Sequence, residues 1–190
     1  MVRNTNTKRV IMDLAESFLQ DKGFNGFSYA HIATELGVKN AAIHYHFPSK
    51  EELVCAVIQR YRARFQLWIN NSRVKNLAPQ EKLEWFFSIY VDARVDNGKV
   101  CLAGSLENEF NSIPDSVRQQ TEALTRELLA WLQVTLQEGR EAGVFHFGGD
   151  PAGKAALILS SLQGALQMAR ALGTGKFHAV VQQHKQDLLA

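Results

Sequence analysis

The chain of 190 residues has 46 % hydrophobic and 21 % charged side chains, an ordinary composition for a soluble globular protein, and its net charge is only +2. No stretch of about 18 uninterrupted apolar residues occurs, no basic-then-apolar leader follows Met1, and two cysteines are too few for a disulfide framework. We therefore expect a cytoplasmic protein with reduced thiols, without an export signal or a membrane span.

The positive charge is concentrated in the first part of the chain. Residues 1–75 hold eleven Lys and Arg against six Asp and Glu, whereas residues 76–190 hold ten against thirteen. Because binding to phosphates needs cations, this distribution favours a nucleic-acid contact in the first part. The asymmetry is modest, so it supports a DNA-binding motif but does not establish one.

The first predicted element is an amphipathic helix from about Lys8 to Lys22, which ends at Gly23. Its apolar side chains recur at helical spacing and predict one buried face. They are Ile11, Leu14, Ala15, Phe18 and Leu19.

Two short helices joined by a tight turn are predicted next, between Ser28 and Lys50. Ser28 is a suitable N-cap, Gly37 can supply the positive φ that often ends a helix, and Pro48 ends the second helix. The inward apolar positions are Ile32, Ala33, Leu36, Val38 and Ile43. This layout predicts a helix-turn-helix, although an αα-hairpin that only packs has the same spacing.

The outward positions of the second short helix suit a helix that lies in a DNA major groove. They are Lys39, Asn40, Ala41, His44 and Tyr45. An amide and an imidazole can bind base edges, a methyl group can contact thymine, and a cation and a hydroxyl can bind phosphate.

Helical periodicity continues to the end of the chain and strand signals are almost absent, so we predict an all-α fold. The further helices are predicted at Ser49 to about Asn70, Pro79 to Val95, Ala103 to Phe110, Pro114 to Ala142, 151–172 and 176–189. A polar stretch from Asn70 to Ala78 and a turn from Asp96 to Lys99 separate the first three of these helices.

A dense run of residues between about positions 8 and 60 resembles a known family. It comprises Ala15, Phe18-Leu19, Gly23-Phe24, Phe27-Ser28, Ile32-Ala33, Gly37-Val38, Ile43-His44-Tyr45-His46-Phe47-Pro48 and Ser49-Lys50-Glu51-Glu52-Leu53. This run is similar to the N-terminal domain of TetR/AcrR-type transcriptional regulators, and the rest of the chain resembles them in length and helical layout. Many members carry a Ser-Lys-Gly-Thr type of run where this chain has Lys39-Asn40-Ala41-Ala42, a difference that affects the operator sequence.

The resemblance implies a three-helix helix-turn-helix DNA-binding domain, at residues 1–64, and a helical ligand-binding and dimerisation domain, at residues 65–190. It also implies a sequence-specific transcriptional regulator without enzymatic activity, a repressor that binds double-stranded palindromic operator DNA. The homodimer would form through the helices at 151–172 and 176–189. No cofactor is expected beyond a small-molecule inducer of unknown identity.

The resemblance also suggests roles for individual side chains. Ser28, Tyr29 and Lys50 would anchor phosphates, and Lys39, Asn40, Ala41, His44 and Tyr45 would face bases or the nearby backbone. The candidates for an inducer cavity are Trp85, Phe86, Tyr90, Cys101, Phe110, Trp131 and Met168. An aromatic stripe at helical spacing is more often plain core, and Arg94, Glu107 and Glu109 could pair with a polar ligand group or form surface salt bridges.

Cys101 has two interpretations. Lys99 and the start of the next helix would both activate its thiol. The segment from Val100 to Gly104 resembles the Gly-Cys-Leu element of some family members, a few of which sense electrophiles or oxidants through that thiol. The alternative, which we favour, is a small buried hydrophobic side chain.

Two other classes of function stay open at this point. A sequence-tolerant architectural DNA-binding protein would show steep salt dependence and little discrimination between sequences. A helical carrier or enzyme would use the apolar half alone, but no paired acid and base or activated nucleophile is evident. We expect no metal site, because His44 and His46 point to different faces of one helix.

Overall fold

The computed structural model describes residues 2–90 and 98–189, with side chains from residue 6 onward, and these residues form ten α-helices and no strand. The helices are α1 (Val2–Lys22), α2 (Tyr29–Leu36), α3 (Asn40–His46), α4 (Lys50–Ile69), α5 (Ser72–Lys75), α6 (Pro79–Tyr90), α7 (Leu102–Asn108), α8 (Asp115–Glu141), α9 (Pro151–Leu172) and α10 (Gly175–Leu189). The predicted all-α fold is confirmed. Within the described ranges, no helix is long and apolar enough to cross a membrane.

Two local features differ from the sequence-based helix predictions. Helix α5 lies in the stretch predicted only as polar, where the side chain of Asn71 accepts a hydrogen bond from the backbone N–H of Arg73 at 2.9 Å. Such a side-chain cap lets a single turn form within a polar segment. The predicted continuation of α6 to Val95 and the turn at 96–97 lie outside the described residues.

The chain folds into two compact units, and the first is not continuous in sequence. It comprises Met1–Phe65 together with Leu102–Leu124, so α7, which packs against α1, and the beginning of α8 belong to the same unit as the helix-turn-helix. The core of this unit is formed by buried side chains of α1, α2, α3, α4, α7 and α8. Among them are Ile11, Ala15, Leu19, Ile32, Ile43, Leu53, Val57, Leu106 and Val117. The boundary after residue 64 stays a prediction.

Glycine and serine set the helix ends of the motif as the sequence predicts. Gly37 has φ +64° and its N–H donates to the carbonyl oxygen of Thr34 at 3.2 Å, a turn that an L side chain would strain. Ser49 caps α4, because its Oγ accepts the backbone N–H of Glu52 at 3.1 Å. The chain therefore turns sharply on both sides of α3.

The second unit comprises Gln66–Cys101 and Thr125–Ala190. Asp150 caps α9 by accepting the backbone N–H of Gly153 at 2.7 Å, as its position before Pro151 predicts. Helix α10 packs along α9. The buried apolar side chains of these two helices include Ile158, Leu159, Leu162, Leu166, Phe177, Val181 and Leu188.

Candidate nucleic-acid interface

Helix α3 buries one side chain deeply and exposes a polar face. Ile43 is fully buried, which anchors the short helix in the core of the first unit. The side chains predicted to face DNA all lie on the exposed side; they are Lys39, Asn40, Ala41, His44 and Tyr45. Tyr45 is 75 % exposed, so most of its ring and its hydroxyl can be reached from solvent.

The His44 ring is held in one orientation. Its Nδ1 lies 3.2 Å from the carbonyl oxygen of Pro48, and its ring meets that of Tyr29 edge-on with centroids 4.7 Å apart. Because a carbonyl oxygen can only accept, Nδ1 carries the proton in this contact, and Nε2 of the neutral ring is left as an acceptor. His44 can therefore present an acceptor nitrogen from an exposed position.

Tyr29 and Lys50, two of the three residues predicted to anchor phosphates, make contacts inside the first unit. Tyr29 is buried and its hydroxyl donates to the carbonyl oxygen of Phe47 at 2.9 Å. Burial, with a smaller contribution from the charge of Glu52, raises the pKa of Tyr29 to about 12. The third residue, Ser28, is exposed at the N-cap of α2.

The side chain of Lys50 contacts the segment between α1 and α2. Its Nζ donates to the carbonyl oxygen of Phe27 at 2.5 Å and lies 4.4 Å and 4.5 Å from the ring centroids of Phe27 and Phe24. Burial lowers the pKa of Lys50, and the carboxylate of Glu109 partly opposes this effect. The ammonium group thus stabilises the motif through a backbone carbonyl and two aromatic faces.

One cation near α3 was not predicted as a site residue. Lys8 on α1 is exposed, and its Nζ lies 5.2 Å from the ring centroid of Phe47, the residue that follows α3. The predicted N-terminal helix already contained Lys8. However, its proximity to α3 depends on how α1 packs, which the local sequence pattern does not show.

The residues predicted to line an inducer cavity fall into three groups. The first group lies together in the second unit and comprises Phe86, Tyr90, Cys101 and Trp131. The ring centroid of Phe86 lies 5.2 Å from that of Tyr90 and 5.3 Å from that of Trp131. The Tyr90 hydroxyl lies 3.8 Å from the Cys101 sulfur. Trp85 and Met168 are 53 % and 43 % exposed. Phe110 belongs to the first unit.

An open groove in the second unit lies between α6 and α10. Its volume is about 370 Å³, and Phe87, Ser88, His178, Val181, Gln182, Glu84 and Lys185 line it. Lys185 and Glu84 form an ion pair across it at 2.5 Å. The groove contains none of the predicted cavity residues, so the aromatic cluster and the groove are separate candidates for ligand contact.

The charged residues considered as ligand partners have different surroundings. The carboxylate of Glu109 accepts hydrogen bonds from the backbone N–H groups of Phe24 and Asn25, so these contacts lie within the first unit. Glu107 also lies in the first unit, on α7, and Arg94 lies outside the described residues.

Comparison with known proteins gives the family. The model for bacterial regulatory proteins of the tetR family matches residues 11–57, and that for the tetracyclin repressor-like C-terminal domain matches residues 79–184. The chain belongs to the TetR family. TetR-family members are transcriptional regulators, and the exposed α3 of this chain is the second helix of its helix-turn-helix.

Solved TetR-family structures share the whole fold. A transcriptional regulator from Agrobacterium tumefaciens has a TM-score of 0.91 and 29 % identity, covering 98 % of this chain and 100 % of that one. A TetR regulator from Legionella pneumophila has a TM-score of 0.83 and 31 % identity, covering 96 % of this chain and 97 % of that one.

A curated relative is similar in sequence. The transcriptional repressor DhaR of Mycobacterium sp. (strain GP1) is 22 % identical, covering 85 % of this chain and 81 % of DhaR.

Proposed function

We propose that this TetR-family regulator is a repressor that binds a palindromic operator as a homodimer and is released by a small-molecule ligand. The observation that carries the proposal is the polar, exposed face of α3 above the buried Ile43. A short helix that is anchored from one side and polar on the other has the shape of a major-groove reader. The repressor DhaR, which the chain resembles, supports the sign of regulation.

Each exposed side chain of α3 suits a particular contact. Asn40 offers both a donor and an acceptor, which match the major-groove edge of adenine. Ala41 can contact a thymine methyl group, and the acceptor Nε2 of His44 can receive a base amino group. Lys39 and Tyr45 suit phosphate oxygens beside these bases.

Phosphate anchoring includes residues outside α3. Ser28 is exposed at the start of α2, where backbone N–H groups and the helix dipole favour an anion. We add Lys8 to the interface, because its ammonium group lies over the ring of Phe47 at the end of α3. We infer that Tyr29 and Lys50 support DNA binding by holding the motif together.

The homodimer is proposed to form through α9 and α10. Exposed apolar or small side chains follow one side of α9, where Leu157 and Leu172 are 55 % and 67 % exposed and Ser160, Gly164 and Met168 lie between them. A stripe of this kind permits close approach of a second helix and buries apolar area when it does so. A two-fold dimer presents two copies of α3, as a palindrome requires.

Release by ligand follows from linkage. A ligand that binds the second unit better in the conformation that does not fit DNA lowers the affinity for the operator. The aromatic cluster of Phe86, Tyr90, Cys101 and Trp131 is the proposed contact site for an apolar or aromatic ligand. We infer a regulator without enzymatic activity, in line with DhaR.

Selection from random DNA tests the proposal. Duplexes retained by the protein would be sequenced, and the mass of the complex would be measured by sedimentation. We expect an inverted repeat with two protomers per site, or a small multiple of two. Recovery of unrelated sequences with equal affinity would indicate an architectural DNA-binding protein, and recovery of no duplex at low salt would contradict DNA binding.

A further inference from the structure

The turn that follows α1 is bound by the turn that follows α7, although 85 residues separate the two in sequence. The carboxylate of Glu109 accepts the backbone N–H of Phe24 through Oε2 and that of Asn25 through Oε1, the latter at 3.2 Å. The Asn25 side-chain amide donates to the Ser112 hydroxyl at 3.0 Å. Three donors of the α1–α2 turn (Gly23–Asn25) thus bind the segment 109–112.

The acceptor side of this contact is itself ordered. The Ser112 hydroxyl donates to the carbonyl oxygen of Glu109 at 2.9 Å, and the Ser112 backbone N–H donates to the same oxygen at 2.8 Å. A charged carboxylate that accepts backbone N–H groups forms stronger hydrogen bonds than a neutral acceptor. The 109–112 turn is thus closed by its own hydrogen bonds, and the Glu109 carboxylate is held by the two N–H groups that it accepts.

Gly23 makes the close approach of the Glu109 carboxylate possible. A Cβ at this position would lie 2.6 Å from Glu109 Oε2, and the φ of +77° is one that L side chains rarely adopt. The left-handed φ favours glycine, and a Cβ there would displace the carboxylate from the turn. The α1–α2 turn is thus shaped to receive the carboxylate.

Helix α7 itself is bound to α1. Ser105 is buried, and its hydroxyl donates to the carbonyl oxygen of Leu19 at 2.5 Å. On the other side of the α1–α2 turn, Lys50 binds the carbonyl oxygen of Phe27. The segment that leads from α1 into the helix-turn-helix is therefore held by α7 and by the beginning of α4.

We propose that Glu109 is a positioning residue for DNA binding: it fixes the α1–α2 turn and thereby the orientation of α2 and α3. The proposal rests on DNA binding by α3. A segment of the second unit ends at Cys101, and α7 begins at the next residue. Glu109 therefore also lies on the covalent path between the two units. Loss of its carboxylate lowers the fraction of molecules whose α3 is correctly oriented.

The test compares operator affinity among four variants. Glu109→Gln replaces one of the two acceptor oxygens by an amide donor, which faces a backbone N–H. Ser112→Ala keeps the carboxylate and removes the two hydrogen bonds of the Ser112 hydroxyl, with the Asn25 amide and with the carbonyl oxygen of Glu109. Asn108→Ala, at the last residue of α7, is the control for a change beside Glu109, and Glu122→Gln is the control for the same charge change in the same unit. We expect operator affinity to fall about tenfold for Glu109→Gln, equivalent to about 1.4 kcal/mol. Ser112→Ala should lose less, and the controls should stay within about twofold of the wild type.

Amide hydrogen exchange separates positioning from general stability. In the folded Glu109→Gln protein, the amides of Phe24 and Asn25 are expected to exchange faster, whereas Gly23, whose N–H donates to the carbonyl oxygen of Leu19 within α1, is not. In the wild type, operator binding is expected to slow exchange at Phe24 and Asn25, since coupling between two sites is reciprocal. A purely structural role would change the unfolding temperature without this operator-dependent effect.

Three outcomes decide the proposal. Reduced affinity in a folded, dimeric Glu109→Gln protein, together with operator-dependent protection of Phe24 and Asn25 in the wild type, supports it. Unchanged affinity despite faster exchange at these amides would overturn it and leave DNA binding intact. Failure of the wild type to bind any selected duplex would overturn DNA binding itself, and the positioning role with it.

Discussion

The hydroxyl of Tyr29, the first residue of α2, donates to the carbonyl oxygen of Phe47, the residue that follows α3, at 2.9 Å. This buried hydrogen bond spans 18 residues and links the beginning of α2 to the end of α3. The carbonyl at the end of α3 has no further turn of helix to donate to it, so a buried side-chain donor satisfies it. The relative placement of α2 and α3 thus depends on this pair.

Tyr29→Phe is expected to remove an alkaline step in stability. Burial raises the pKa of Tyr29 from 10.0 to about 12, so the unfolded chain loses the phenolic proton first. The contribution of Tyr29 is fully present below pH 10.0 and is lost as the pH rises to about 12. Denaturant unfolding across this range should show a smaller decline for Tyr29→Phe. At pH 7 the variant should be about 1–2 kcal/mol less stable; parallel curves for both proteins would contradict this role.

Lys50→Met is expected to affect folding more than the salt dependence of DNA binding. The variant keeps the apolar stem but loses the bond to the carbonyl oxygen of Phe27 and the contacts with two rings, which should lower the free energy of unfolding by about 1–3 kcal/mol. Binding titrations over a salt series check the other possibility. A salt slope that falls by about one unit would place the ammonium group on a phosphate, as the sequence analysis expected.

Tyr45→Ala is expected to weaken operator binding at least about tenfold while the dimer and the fold persist. The ring is 75 % exposed, so truncation opens no cavity in the core. Trp85→Ala, which removes an exposed aromatic ring from the second unit, is the matched control. Anisotropy titrations would measure both variants, and normal affinity in Tyr45→Ala would remove Tyr45 from the interface.

Leu157→Glu is expected to dissociate the dimer. A carboxylate in a helix–helix interface would be desolvated without a partner, whereas on a free surface it would cost little. Leu67→Glu, at a position that is 74 % exposed on α4, is the control. Sedimentation velocity should show monomers for the first variant and dimers for the second. Dimers in both would move the interface away from this side of α9.

If a thiol-reactive compound such as N-ethylmaleimide releases the operator complex, Cys101→Ser is expected to blunt that release. Cys101 is buried beside the Tyr90 hydroxyl, and alkylation there would force the aromatic cluster apart. Cys55→Ser is the control, because Cys55 is the more exposed thiol and lies in the first unit. An unchanged response in Cys101→Ser would assign Cys101 to the core alone.

Local sequence signals predicted most of the helices. Periodicity, Gly37, Ser49 and Pro151 fix where helices begin or end through contacts within a few residues, and these signals agree with the structure. The exposed face of α3 also follows from its spacing around Ile43. Such features depend on chain-local geometry, which a sequence displays directly.

Contacts between residues far apart in the sequence could not be predicted from local patterns. A lysine after a helix cap has the same residue type whether it binds phosphate or, like Lys50, a backbone carbonyl 23 residues away. Glu109 was considered for a ligand, yet its partners are backbone N–H groups that carry no residue-specific signal. Trp85 and Phe86 are adjacent on α6, but only Phe86 is buried, a difference set by which elements pack on that helix.

Fluorescence-anisotropy titrations test sequence-specific DNA binding most directly. They compare the selected duplex with a scrambled duplex of equal composition over a salt series. We predict tight binding to the selected duplex and an affinity for the scrambled duplex that is lower by about 10³-fold or more at physiological salt. Equal affinity for both duplexes at every salt concentration would contradict sequence-specific reading by α3.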